Sequence, residues 1–270
     1  ILDWTALMGT SGVYNKETGQ LIGAYWQQKV DKGDNNFSFS VNYVADDKNG
    51  NISNPNKGGF MTSNSEASLM AQLGYAGPRW GVALGYRYGQ CDSGNGFRRG
   101  TSFAKSDDWN NDCEYGVEDS LRRSSSTNSY AINAYWAPED PGFIPSISLG
   151  WGLNTVSSND KADGSALTTQ SWMAGLKWDD VFLKGNDLGF AVGQPTFATA
   201  LKGGDTPYDG NYVFELYYNF QVTDNIAITP ALFYLSRPEG QDTQAFVNNG
   251  SGYDGQFNVF GGLVQTTFKF

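Results

Sequence analysis

The stretch RWGVALGYRY, residues 79–88, most narrows the folds open to this chain. Trp80, Val82, Leu84, Tyr86 and Tyr88 share one side of an extended strand, while Gly81, Ala83, Gly85 and Arg87 share the other. An apolar period of two belongs to a strand with one apolar face, whereas a helix repeats every 3.6 residues. The preceding segment, with Ala67, Leu69, Ala71, Leu73 and Tyr75 opposite Ser68, Met70, Gln72 and Gly74, shows the same pattern. Only a few residues around AGP separate the two, so they read as a tight hairpin.

The alternation recurs down the chain. Phe37, Phe39, Val41 and Tyr43 oppose Ser38, Ser40 and Asn42; Tyr130, Ile132, Ala134 and Trp136 oppose Ala131, Asn133 and Tyr135. Ile147, Leu149, Trp151 and Leu153 oppose serines and glycines, and Trp172, Ala174, Leu176 and Trp178 oppose Met173, Gly175 and Lys177. Tyr212, Phe214, Leu216, Tyr218 and Phe220 oppose Val213, Glu215, Tyr217, Asn219 and Gln221. Ile226, Ile228, Leu232 and Tyr234 continue the series across an interruption at Pro230, and FGGLVQTTFKF (260–270) closes it. With weaker segments near 20–30 and 187–193, about 11–12 strands are visible, an all-β chain.

The composition of the second face decides what kind of β protein this is. A soluble sandwich turns its apolar face inward and covers the outside with Lys, Glu and Thr. Here the non-apolar face is mostly Gly, Ser, Ala, Asn and Gln, while Trp and Tyr sit near strand ends with aliphatics between them. That is the layout of a lipid-facing band with aromatic girdles around a polar lumen, an antiparallel transmembrane β-barrel. Mean hydropathy of −0.45 does not oppose this, because alternating strands hide their apolar face from any averaging window. A secreted sugar-binding β-sandwich is the competing fold.

Loop lengths point the same way. Links near 76–78, 138–142, 179–187 and 222–225 are short, and those over about 47–66, 91–128, 156–169, 195–210 and 236–256 are long. Outer-membrane barrels keep tight turns on one side and long loops on the other. Such barrels close with an even number of strands, and residues 1–19 offer no convincing partner for the last one. The expectation is therefore that residues 1–270 are the C-terminal portion of a barrel of about 16 strands, with the first strands upstream.

Several functions are excluded by composition. A net charge of −10 leaves no basic stripe for nucleic acid. Histidine is absent, which removes the commonest general base and zinc ligand, so no enzyme, cofactor or metal is expected. Asp46-Asp47-Lys48-Asn49-Gly50 lacks the ligand spacing of a calcium loop and reads as a turn, as do Asp209-Gly210 and Asp254-Gly255.

The segment 91–128 is too long for an idle link. It carries Arg98, Arg99, Lys105, Arg122 and Arg123 beside Asp107 and Asp108, and folded inward it would form a charged constriction. Cys91 and Cys113 lie in it, as a loop disulfide of an oxidising compartment or as a reduced pair; a bond would pin the loop in one shape. Arg87, Lys177 and Glu215 fall on the lumen face by register.

GFAVGQPTFAT (189–199), FELYYNFQVTDNIAITPALFYLSRPEGQDT (214–243) and FGGLVQTTFKF (260–270) resemble the terminal strands of cyanobacterial outer-membrane porins of the carbohydrate-porin (OprB-type) superfamily. The resemblance implies passive passage of small hydrophilic solutes and inorganic ions, iron among them, through an integral outer-membrane protein surrounded by lipid. It also implies an upstream S-layer-homology domain, through which alone a peptidoglycan-linked wall polymer would be a partner. A homotrimer is expected for a porin of this size. Phe268 and Phe270 match the terminal aromatic signal read during outer-membrane assembly. A barrel serving mainly to tether the envelope is the alternative function.

Overall fold

The computed structural model describes residues 12–14, 18–30, 34–46, 50–62, 65–90, 100–104, 125–140, 142–158, 163–243 and 257–269. Eleven strands form one sheet: β1 (Gly19–Lys29), β2 (Asn36–Asp46), β3 (Ala67–Ala76), β4 (Trp80–Gln90), β5 (Ser125–Trp136), β6 (Ser146–Ser158), β7 (Ala166–Trp178), β8 (Asp187–Leu201), β9 (Tyr212–Thr223), β10 (Ile226–Ser236) and β11 (Asn258–Phe268). Each strand pairs antiparallel with its neighbours in sequence, so the sheet is an uncrossed meander ending in β1 and β11. At about 3.4 Å per residue, an 11-residue strand tilted by ~40° rises ~28 Å, close to the thickness of a bilayer's hydrocarbon core. No helix among the described residues is long and apolar enough to cross a membrane, which says nothing of crossing by strands.

Register sorts the side chains onto two faces. Opposite partners share a face, so the set Arg87–Ser129–Asn154–Thr169 runs across β4 to β7 on one side. Its neighbours Tyr86–Tyr130–Leu153–Gln170 run on the other. The outward face exposes Leu69, Leu73, Trp80, Leu84, Ile132, Leu149, Leu216, Leu232, Phe260 and Val264. The inward face is small and polar, and Ser68, Thr127, Ser129, Asn154, Thr169 and Ser171 are buried on it. Every charged strand residue (Lys29, Asp46, Arg87, Lys177, Asp187 and Glu215) lies on the inward face. A charge on a lipid-facing side costs roughly 2–4 kcal/mol at mid-membrane, so this segregation is what a bilayer would enforce.

Aromatic rings bridge strands near both ends of the outward face. Phe37 meets Tyr75 at 5.0 Å and Tyr75 meets Trp80 at 4.6 Å, beside the short links. Trp172, Tyr212, Phe214 and Tyr234 form a second series, with centroids 6.2–6.5 Å apart, nearer the long loops.

Two expectations are refined. β6 runs on to Ser158 and β7 starts at Ala166, so that link spans only 159–165; the other long links keep the length asymmetry. Pro230 does not interrupt β10. Its pairing with β11 continues as Pro230↔Val264, while pairing with β9 lapses at Thr229 and Pro230. Proline's missing N–H is thus confined to one side, where Thr229 Oγ1 donates instead to Asn219 Oδ1 at 3.0 Å.

On the inward face, three rings lie flat across glycines directly opposite: Tyr135 over Gly81, Tyr217 over Gly189 and Phe233 over Gly261. A Cβ at any of these glycines would overlap the ring. We predict that Gly189→Val lowers unfolding free energy by about 1–3 kcal/mol, the usual cost of overpacking. In a Tyr217→Ala background the penalty should shrink by about 1 kcal/mol or more. Urea titration of the folded protein in vesicles measures both, and equal penalties in the two backgrounds would refute the steric account.

Candidate functional site: the inward face and a three-loop junction

The candidate site is the inward face of the sheet together with the segments lying on it. Arg87, from the middle of β4, is 4% exposed and donates from Nη2 to Ser68 Oγ at 3.0 Å. Glu215, on β9, is 1% exposed and stands between its register partners Ala191 and Phe233. Small residues opposite these long side chains leave them room on the wall. Lys177 sits at the short-link end, where Nζ contacts Asp179 Oδ1 at 2.7 Å and Asp187 Oδ2 at 3.3 Å.

Residues Gly12, Val13 and Tyr14 lie against this face. Val13 is 1% exposed, and a Cβ added to Gly85 would press on its Cγ1 and on the Tyr14 hydroxyl. A Cβ on Gly12 would overlap Asn154 and Ser129, so glycine is required on both sides of the fit. The Tyr14 hydroxyl donates to Gln72 Oε1 and also bonds the Asn133 side chain. The segment therefore covers inward residues of β3, β4, β5 and β6. Residues 1–19 supply this inner contact.

A second element reaches the inward side near the long-loop end. Asp209, wholly buried in the β8–β9 connection, accepts from Thr101 Oγ1 at 2.6 Å, from Ala198 N at 2.7 Å and from Gln241 N at 3.2 Å. These donors come from the β4–β5 connection, from β8 and from the 3₁₀ turn Gly240–Asp242 that follows β10. Gly240 has φ +56°, and a Cβ there would overlap the Asp209 carboxylate, so the turn closes on it only as glycine. Glu239 accepts from Ser102 N at 3.0 Å and from the Ser102 hydroxyl. Phe103 packs on Val156, Ala166 and Ala198.

Of the residues singled out from sequence, Arg87, Lys177 and Glu215 stand on the inward face, and Phe268 on the outward face at the end of β11. Arg98, Arg99, Lys105, Asp107, Asp108, Arg122, Arg123, Cys91, Cys113 and Phe270 lie outside the described residues. No group of three or more His, Cys, Asp or Glu side chains is placed to hold a metal among the described residues. Sequence reasoning missed Asp209, because Asp-Gly is ordinary turn chemistry and nothing local marks a carboxylate that three distant donors surround. It also missed Val13 and Tyr14, whose one available signal was an apolar pair inside a glycine-bounded polar stretch.

An uncrossed antiparallel meander, apolar and uncharged outside and polar within, is the wall of a β-barrel porin. The anion-selective porin from Comamonas acidovorans has the same fold: TM-score 0.55, 12% identity, 98% of this chain and 65% of that one covered. The sequence matches the carbohydrate-selective porin, OprB family, over residues 4–270, and the chain belongs to that family. It is 29% identical over 245 residues to the uncharacterized protein alr4550 of Nostoc sp., covering 86% of this chain and 36% of that protein. It is 30% identical over 142 residues to the uncharacterized protein sll0772 of Synechocystis sp., covering 48% and 23%. The matches thus span about a third or less of the length of these curated relatives.

The junction should respond to pH. Burial raises the Asp209 carboxyl above its ordinary value, and nearby Asp242 adds to the rise; the donors from Ala198, Thr101 and Gln241 oppose it without cancelling it. A carboxyl raised in the docked state binds protons more tightly there than when undocked. Docking is therefore firmest below the ordinary aspartate value of about 3.9 and weakens as pH rises through the raised one. We predict greater hydrogen-exchange protection of the Ala198 and Gln241 amides at pH 4 than at pH 7, after correction for intrinsic rates. Equal or lower protection at pH 4 would overturn this.

Proposed function

We propose that this chain supplies eleven strands of an outer-membrane porin barrel through which small hydrophilic solutes and inorganic ions diffuse passively. One observation carries the reading: over all eleven strands the charged residues keep to the inward face, while the opposite face exposes Trp, Tyr, Phe and Leu. A water-filled lumen tolerates Arg87, Lys177 and Glu215 where lipid would not. Family membership supports the pore and makes sugars candidate cargo beside ions, iron included. The same reading has upstream strands joining β1 to β11, whose side chains are mostly exposed at the two ends of the sheet. It also has Phe268 and Phe270 serving as the assembly signal, a homotrimer in the membrane, and wall attachment through an S-layer-homology domain upstream.

Two elements narrow the passage in this proposal. Val13 and Tyr14 cover the wall of β3–β6, and the β4–β5 connection, with Arg98, Arg99, Lys105, Asp107, Asp108, Arg122 and Arg123, supplies charge. A Cys91–Cys113 bond would fix that connection's shape.

The full-length protein reconstituted in planar bilayers should give stepwise conductance, and its absence from a correctly folded sample would end the porin reading. Replacing Arg98, Arg99, Arg122 and Arg123 by glutamine should move the zero-current potential in a salt gradient toward cation preference, because fixed positive charge attracts anions. An unmoved potential would take these residues out of the filter.

A further inference from the structure

The β4–β5 connection travels farther than its ends require. Gln90 and Ser126 are register partners, so a few residues would join the two strands. Instead residues 100–104 lie against β8, four strand spacings from β4 and so ~19 Å away along the sheet. Val156, on which Phe103 packs, pairs with Thr127 on the inward face of β6. The connection therefore crosses the inward side of β6 and β7 before it docks.

The dock has a built receptor. Pairing of β8 with β9 ends at Gly193↔Val213, which leaves the edge of β8 open beyond that point. A register shift against β7 surrounds Pro195 and Thr196, and the Thr196 carbonyl accepts from Thr101 N at 3.0 Å, closing a parallel bridge with Gly100. The Thr101 hydroxyl accepts from Ala104 N at 3.1 Å while donating to Asp209. Thr101, Ala104, Thr196 and Asp209 are all fully buried. Asp209 alone bonds the β4–β5 connection, β8 and the turn after β10 together.

We propose that Asp209 is a positioning residue that holds the β4–β5 connection across the mouth of the pore and so sets the size of solute that passes. It acts through Thr101 and the docked segment. This inference rests on the porin reading and names the group that fixes one of its two narrowing elements.

The test compares full-length wild type with Asp209→Ala, Asp209→Asn and Thr101→Val in planar bilayers, with heat-modifiable gel mobility reporting a folded barrel. Asp209→Ala and Thr101→Val should give larger, noisier steps and admit polyethylene glycols of greater size. Trypsin should cut at Arg98, Arg99 and Lys105 about tenfold faster, since losing a bond to a charged acceptor raises the open population by about that factor. Asp209→Asn, which keeps one acceptor oxygen, should fall between. Faster cutting with unchanged conductance and size cutoff would make Asp209 a structural clamp only and overturn the inference, as would no change in either. If Asp209→Ala fails to fold, Thr101→Val decides, because it removes one hydroxyl at nearly constant volume. A wild type that gives no steps defeats the porin reading and this inference with it; steps that the variants leave unaltered defeat this inference alone.

Discussion

A backbone amide in hydrocarbon must find its partner within the protein, and the rest of this structure depends on that requirement. A meander in which every strand bonds its sequence neighbour meets it with short links, and it fixes which side chain faces which way. Pro230 illustrates how closely the rule is kept: the strand loses one donor, and Thr229 and Asn219 supply a polar contact beside the gap. Where β8 outruns β9, residues from a distant connection occupy the exposed edge.

Strands were legible in the sequence because their signal is local. Period-two alternation over ten or so residues, with glycine and serine opposite tryptophan and leucine, survives without knowledge of any partner, and register then follows from short links. The inward placement of Arg87, Lys177 and Glu215 follows from the same parity. The contents of the interior were not legible, since they depend on pairs far apart in the chain. Thr101 and Asp209 are 108 residues apart, and Tyr14 and Gln72 are 58 apart. Neither partner carries a local mark of the other, so Asp209 looks like any turn aspartate until the fold surrounds it.

The interior elements share one device. Gly12 and Gly85 yield space to the inner segment, and Gly240 yields space to a carboxylate, so contacts are made by removing a side chain as often as by adding one. This explains why a chain with 34 glycines still makes a well-ordered wall. Much of the glycine is inward, where it admits other parts of the molecule against the sheet.

The rings lying across Gly81, Gly189 and Gly261 bear on how the sheet is assembled as well as on its stability. A ring that tolerates only a bare backbone opposite it rejects neighbours out of step, because a slip by one pair sets it against a side chain of the wrong face and a slip by two sets it against a Cβ or an empty place. Uniform strands of alternating residues have many near-equivalent alignments. Three keyed positions, spread over β4–β5, β8–β9 and β10–β11, proofread that choice strand by strand as the wall is laid down.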